Sequence, residues 1–186
     1  MVKTRCPWCT SDAVYTKYHD EEWGVPLHDS VKLFEFLLLE GAQAGLSWIT
    51  ILKRRESYRE AFDNFDPKII ANYDEAKIAS LMQNVLIIRN KRKITSAINN
   101  AKCFLEMQRE GIDFSSYLWS FVDNKPVIHH FKTMAEIPAK DEISEKLSLS
   151  LKQKGFSFVG PTIMYAFMQA VGMVNDHLTE CFRGAL

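Results

Sequence analysis

The chain has 186 residues, of which 47% are hydrophobic and 25% are charged, as in ordinary folded proteins. At this length we expect a single domain over residues 1–186 with an extensive core. Lysine plus arginine and aspartate plus glutamate both total 23, which excludes an overall positive field that attracts nucleic acid; such a partner requires a local basic patch. The sequence contains no apolar run of membrane-spanning length and no signal peptide, so we expect a cytoplasmic protein without a membrane partner.

The first 28 residues lack a helical period but are rich in aromatic and metal-ligating side chains. We expect an irregular segment that other parts of the protein hold in place, because it has no apolar stripe of its own. Its side chains of interest are Cys6, Trp8, Cys9, Tyr15, Tyr18, His19, Trp23 and His28.

From Asp29 onward the apolar residues recur at helical spacing, and capping residues precede the runs. No run has the two-residue period of a β-strand, so the sequence predicts an all-α protein. The predicted helices cover residues 29–43, 47–62, a short stretch after Asp66-Pro67, a stretch from Asp74, 90–109, 114–122, 141–154 and 163–171, with a last helix after Asn175 or Asp176.

A carboxylate, several small residues and an indole follow one another in residues 40–50, E-G-A-Q-A-G-L-S-W-I-T. The preceding residues 33–39 have the character of a largely buried helix, where an unpaired charge on Glu40 is strongly unfavourable. The small residues allow a backbone or a flat ligand to approach closely. With Trp48, the stretch predicts a pocket for a flat, electron-poor or cationic partner. The alternative is an ordinary tight contact between helices, with Glu40 at a helix end.

The spacing of cysteine and histidine residues predicts a metal site. His177 and Cys181 are four residues apart and share one face if this stretch is helical. Together with Cys6 and His19 they complete a tetrahedral zinc site, which is structural because it leaves no open position. Cys9 could replace one member, since Cys6-x2-Cys9 is itself a ligand spacing. The alternative is a set of buried cysteines and surface histidines.

The aromatic residues of the N-terminal segment, together with Trp48, could form a stacking surface. Aromatic faces stack on nucleic-acid bases and attract cations. For any single ring a place in the core is the more common role. The group comprises Trp8, Tyr15, Tyr18, Trp23 and Trp48.

A basic stretch, I-I-R-N-K-R-K-I over residues 87–94, joins two predicted helices. Its four cations, Arg89, Lys91, Arg92 and Lys93, cluster at a helix start, where the helix dipole disfavours them. This arrangement predicts contacts with DNA phosphate, assisted by backbone amides at the start of the next helix. The alternative is a solvated surface.

Four motifs resemble those of the 3-methyladenine DNA glycosylase I family, in the same order and over nearly the whole chain. They are Y-H-D-E-E-W-G-V-P (residues 18–26), L-E-G-A-Q-A-G-L-S-W-I-T (39–50), I-I-R-N-K-R-K-I (87–94) and F-V-G-P-T-I-M-Y-A-F-M-Q-A-V-G-M-V-N-D-H (158–177).

The resemblance implies a helix-hairpin-helix fold and a role in base excision repair. Members of the family hydrolyse the N-glycosidic bond of 3-methyladenine, and more weakly of 3-methylguanine, and leave an abasic site without cutting the strand. The implied partner is alkylated double-stranded DNA, the product is free 3-methyladenine, and we expect a monomer.

The resemblance also implies roles for individual residues. One structural zinc ion per chain is bound by Cys6, His19, His177 and Cys181, which leaves Cys9 as a spare thiol. Glu40 is the catalytic residue, through recognition of the base. The substrate-binding positions are Trp8, Tyr15, Tyr18, Trp23, Glu40 and Trp48, and the DNA-binding positions are Arg89, Lys91, Arg92 and Lys93.

Two features of the sequence set limits on this reading. The hairpin usually carries a glycine where this chain has Leu86, and we expect Asn84 to supply a left-handed turn instead. We assign no catalytic aspartate and no role to His129-His130, which lies in a loop between prolines. The rival functions are a zinc-stabilised module that binds damaged bases without cleaving them and a purely structural adaptor.

Overall fold

The computed structural model describes residues 3–184, which are mostly helical. None of the helices in this range is long and apolar enough to cross a membrane. The α-helices are α1 (Ala13–Glu21), α2 (Ser30–Gln43), α3 (Trp48–Leu52), α4 (Arg55–Ala61), α5 (Pro67–Ile70), α6 (Glu75–Gln83), α7 (Lys91–Arg109), α8 (Phe114–Trp119), α9 (Glu142–Gln153) and α10 (Pro161–Ala170). Single 3₁₀ turns span Pro7–Cys9, Asp63–Phe65, Ser120–Val122 and Met134–Glu136, and two short strands are β1 (Val127–Ile128) and β2 (Val174–Asn175).

The prediction of an all-α protein is confirmed, and the predicted caps explain where several helices begin. Asp29 accepts hydrogen bonds from the first amides of α2, and Asp66, Asp74 and Asp141 do the same for α5, α6 and α9. Asp141 forms a capping box with Ser144. Each cap satisfies an amide that has no partner within its helix.

Three local predictions are wrong. The N-terminal segment is not irregular throughout, because Asp12 caps α1; this helix buries Tyr18 and His19 in place of an aliphatic stripe. The predicted helix over residues 47–62 is two helices, α3 and α4, with a break at Lys53 and Arg54. No helix follows Asp176 within the described residues, because residues 179–184 form a series of turns.

Helix α2 is the centre of the protein. It packs against α3, α7, α8 and α10, and residues 33–42 are all buried. Phe34 contacts Phe104 of α7 with 5.1 Å between ring centroids, and Phe104 contacts Phe114 of α8 at 5.0 Å. Glu40 is therefore carried into the interior by the most buried helix of the fold.

The two ends of the chain meet beside α10. Gly24 donates to the carbonyl of Gln169, and Leu27 donates to that of Val171. Gly172 has φ +71°, and a Cβ atom there would lie 2.3 Å from the backbone of Val25. β1 pairs in parallel with β2, Val127 opposite Val174. The C-terminal segment is thus fixed against both the N-terminal residues and the loop before α9.

Candidate functional site

A cavity of about 380 Å³ opens between α1, α2, α3 and α10, with residues 134–139 along one side. All six residues predicted to bind substrate line it: Trp8, Tyr15, Tyr18, Trp23, Glu40 and Trp48. The structure thus supports the pocket interpretation of residues 40–50. Gly41 also makes a close contact, since a Cβ there would lie 3.3 Å from Phe158, but Phe158 belongs to the loop between α9 and α10 and not to a helix.

Glu40 is the chemically unusual group of the cavity. Its side chain belongs to a residue that is 3% exposed, and its Oε2 atom has no hydrogen-bond partner among the described residues. Burial raises the pKa of Glu40 to about 8, because the charged form loses its solvation. Near neutral pH Glu40 is therefore a carboxylic acid, which can both donate and accept a hydrogen bond.

Trp48 presents a second polar atom of this kind. Its indole Nε1 is buried and, in the part of the chain described, has no acceptor. The ring lies 5.6 Å from Tyr18 and 6.5 Å from Phe36, nearly parallel to the latter. Buried tryptophan N–H groups usually find an acceptor, so this atom and the Glu40 carboxyl group indicate a ligand with polar edges.

The remaining aromatic rings form one wall that rests on two histidines. Trp8 makes edge contacts with Tyr15, Trp23 and His19, at centroid distances of 4.8, 5.1 and 5.3 Å. Trp23 also contacts His177 at 4.5 Å. The wall of the cavity and the predicted metal ligands are thus one packed unit.

Three of the four predicted metal ligands form a close group at this point, and His177 lies beside it. Ligand atoms of Cys6, His19 and Cys181 all lie within 4.8 Å of one another, and His19 Nε2 is 3.4 Å from Cys181 Sγ. The rings of His19 and His177 are 4.8 Å apart, and His177 Nε2 is buried without a partner among the described residues. The assumed helical spacing of His177 and Cys181 is wrong, since a series of turns joins them.

Neighbouring side chains orient both imidazoles toward this cluster. The Nδ1 atoms of His19 and His177 lie 2.8 Å from carboxylate and amide oxygens of Asp20 and Asn175, respectively, which leaves the Nε2 atom of each ring as the one available to a metal ion. Burial and the adjacent His19 lower the pKa of His177 to about 3, which keeps it neutral, as a metal ligand must be. Burial raises the pKa of Cys6 to about 12, a shift that a bound cation would reverse.

Cys9 lies beside the cluster without being part of it. Its thiol donates to the carbonyl oxygen of Cys6 at 3.2 Å. The alternative in which Cys9 replaces a ligand therefore receives no support from the geometry.

The side chains of the predicted DNA-binding residues do not all point to the surface. Arg89, Lys91 and Arg92 are exposed where α7 begins, and Lys91 Nζ lies 3.6 Å from Glu75. Lys93 instead points inward, and its ammonium donates to the carbonyl oxygens of Ala42 and Ala44, both at 2.7 Å. These contacts do not support a role for Lys93 as a phosphate contact, and the assignment of the other three cations stays a prediction.

The expected left-handed turn at Asn84 is also wrong. Asn84 has φ −71° and ψ 105°, and its side-chain oxygen accepts a hydrogen bond from the amide of Leu86. A side-chain turn of this kind reverses the chain without positive φ. Leu86 itself is 53% exposed at the tip of the connection.

The chain is similar in sequence to known proteins. The sequence pattern of the family described as methyladenine glycosylase matches residues 8–184. The chain belongs to the methyladenine glycosylase family. It is 51% identical over 178 residues to a DNA-3-methyladenine glycosylase of Haemophilus influenzae, covering 96% of each chain.

Solved structures show the same similarity. A crystal structure of 3-methyladenine DNA glycosylase I superposes with a TM-score of 0.95 at 51% identity, covering 96% of this chain and 98% of that one. A variant of 3-methyladenine DNA glycosylase I crystallised in complex with 3-methyladenine gives 0.92 at 39% identity, covering 97% of both chains. The fold of this chain is therefore that of the glycosylase family.

Sequence reasoning missed a buried carboxylate behind the cavity of this family member. Asp176 is 1% exposed and accepts hydrogen bonds from Tyr165 and Gln169, at 2.7 and 2.8 Å, both of which line the cavity. His129 Nδ1 lies 2.6 Å from the same carboxylate, a contact that the sequence did not indicate. The four-residue spacing of Tyr165 and Gln169 on α10 was the available signal.

Replacing Glu40 should change how stability depends on pH. An unfolded glutamate titrates near 4.5 and the folded one near 8, so burial carries no penalty below the first value and a full penalty above the second. The free energy of unfolding of the wild type should therefore decrease relative to Glu40→Gln between these values, by up to about 1.4 kcal/mol per pH unit. Urea titrations from pH 5 to 8 measure the difference. A difference that stays constant over this range would contradict the assigned pKa.

Proposed function

We propose that this chain is a DNA glycosylase that removes 3-methyladenine from alkylated double-stranded DNA. The observation that carries the proposal is the pair of buried, unpartnered polar atoms, on Glu40 and Trp48, in an aromatic cavity of about 380 Å³. Family membership and the complex of a similar protein with 3-methyladenine support the choice of base.

The reaction requires little acid catalysis from the protein. Methylation at N3 gives the attached purine a positive charge, so the base leaves as a neutral molecule when the bond from its nitrogen to the sugar breaks. Water then adds to the sugar carbon and loses a proton, which leaves an abasic site. The contribution of the protein is to extrude the base from the duplex and hold it against aromatic rings.

A neutral Glu40 can select the base by its edge. Adenine presents an acceptor at N7 beside an amino donor, whereas guanine presents two acceptors, N7 and O6. A carboxylic acid offers one donor and one acceptor and so pairs fully with the adenine edge only. The Trp48 indole N–H supplies one further donor. This arrangement accounts for a preference for 3-methyladenine over 3-methylguanine.

DNA is held, in this proposal, by a helix-hairpin-helix unit. Helix α6, the connection over residues 84–90 and the start of α7 form the hairpin, and Arg89, Lys91 and Arg92 are its exposed cations. Backbone amides and cations at a helix start are suited to contact phosphate. The cations lie close in sequence to Lys93, whose ammonium reaches the end of α2 beside the cavity.

One structural zinc ion, bound by Cys6, His19, His177 and Cys181, belongs to the same proposal. The support comes from the clustered ligand atoms and from the buried, unpartnered Nε2 of His177. With four protein ligands the ion would cross-link the chain ends and take no part in the hydrolysis. Its effect on the site would be to support the wall formed by Trp8 and Trp23.

Base release from methylated duplex DNA tests the function. Purified protein should release 3-methyladenine, separated by chromatography, and leave 7-methylguanine in the DNA. Glu40→Ala removes two hydrogen bonds to the base and should lower the rate about 100-fold. Glu35→Gln is the matched control, because Glu35 is a buried glutamate on the same helix that pairs with Arg59 outside the cavity. If the wild type binds methylated DNA but releases no base, the protein is a sensor of damage and the proposed activity is wrong.

Metal analysis tests the zinc proposal. The purified protein should contain one zinc ion per chain, and Cys181→Ser should lose the metal and melt at a lower temperature. Cys103→Ser should retain the zinc ion and the melting temperature of the wild type, since Cys103 is only partly buried and lies outside the cluster. Metal-free protein that keeps its full stability but has no activity would exclude a structural ion.

A further inference from the structure

Lys93 is the only one of the four predicted DNA-binding cations that the described structure turns toward the interior. It is the third residue of α7, and it lines a small internal cavity together with Leu38, Tyr58 and Phe62. Burial lowers the pKa of its ammonium group. A lysine directed inward loses hydration and rotamer freedom. Its role therefore follows from the contacts that it makes in the interior.

These contacts lie at the end of the central helix. The ammonium donates to the carbonyl oxygens of Ala42, in the last turn of α2, and of Ala44, just beyond it, both at 2.7 Å. The last carbonyls of a helix lack partners within the helix and carry partial negative charge, which a cation neutralises. Lys93 thus binds the point at which the main chain leaves α2.

The end of α2 lies in sequence between Glu40 and Trp48, the two residues of the cavity that carry the unpartnered polar atoms. Glu40 lies two residues before Ala42, and Trp48 lies four residues after Ala44. Between them the chain reverses through Gly45, with φ +79°. Ser47 accepts from Thr50 at the start of α3 through its carbonyl group, so the reversal leads directly into the helix that carries Trp48.

We propose that Lys93 is a positioning residue for base recognition. By holding the carbonyl groups of Ala42 and Ala44, it fixes the connection between Glu40 and Trp48 and thereby the spacing of the two groups that contact the base. The inference rests on the proposed function for the identity of the base. It differs from a phosphate contact, which acts on DNA affinity, and from a simple helix cap, which acts on stability alone.

Lys93→Met, which keeps an unbranched apolar side chain, separates these roles. We expect it to weaken the binding of free 3-methyladenine, measured by quenching of tryptophan fluorescence, at least tenfold. The dependence of DNA affinity on salt should stay that of the wild type. Lys91→Met should do the reverse, reducing the salt slope by about one and leaving the affinity for free base unchanged. Lys102→Met, at an exposed position on the same helix, is the neutral control.

Two results would overturn the inference. A reduced salt slope with unchanged affinity for free base would make Lys93 a phosphate contact after all. A lower melting temperature with unchanged affinity of the folded protein would make it a helix cap only. Lys93→Arg keeps a cation at the end of α2 and should recover part of the affinity for free base. This second variant keeps the test valid if Lys93→Met folds poorly.

A measurement without ligand separates this inference from the proposed function. The indole N–H resonance of Trp48 should shift in Lys93→Met and stay in place in Lys102→Met, whatever base the cavity binds. An unchanged resonance would contradict the positioning role. A wild type that releases no 3-methyladenine, with a shifted resonance in Lys93→Met, would contradict the proposed function alone.

Discussion

The burial of one ionisable group, Glu40, is the constraint on which the site depends. Helix α2 carries this carboxyl group into the interior, where one of its oxygens has no partner among the described residues. Raising its pKa from 4.5 to about 8 corresponds to about 5 kcal/mol of penalty on the charged form. Protonation near neutral pH avoids only the last part of this penalty, because an unfolded glutamate is already ionised there. The same protonation provides the donor and acceptor that an adenine edge requires.

The aromatic wall connects this group to the ends of the chain. Trp8 and Trp23 line the cavity on one side and pack on His19 and His177 on the other. The segments that carry the two histidines are far apart in sequence and meet beside α10. Because the wall packs on this cluster of cysteines and histidines, the cluster also supports the shape of the cavity, and damage to it should alter recognition as well as stability.

The sequence patterns predicted the features that local interactions determine. They did not predict the features that tertiary contacts determine. Asp29 and Asp141 mark helix starts because a cap acts within a few residues, and the resemblance placed Glu40 and the aromatic rings correctly around one cavity. The direction of Lys93 depends on the end of a distant helix, and the contact of His129 with Asp176 depends on packing between loops. The pKa of Glu40 likewise follows from burial by several elements, which no spacing in the sequence expresses.

Carboxyl ¹³C NMR of the protein without added base measures the protonation of Glu40 directly. The Glu40 resonance can be assigned by comparison with Glu40→Gln and followed from pH 5 to 9 in the purified protein. We expect a titration midpoint near 8, as for a neutral acid at neutral pH. A midpoint near the ordinary value of 4.5 would mean that the group is charged at neutral pH, and recognition of the adenine edge by a paired donor and acceptor would then be wrong.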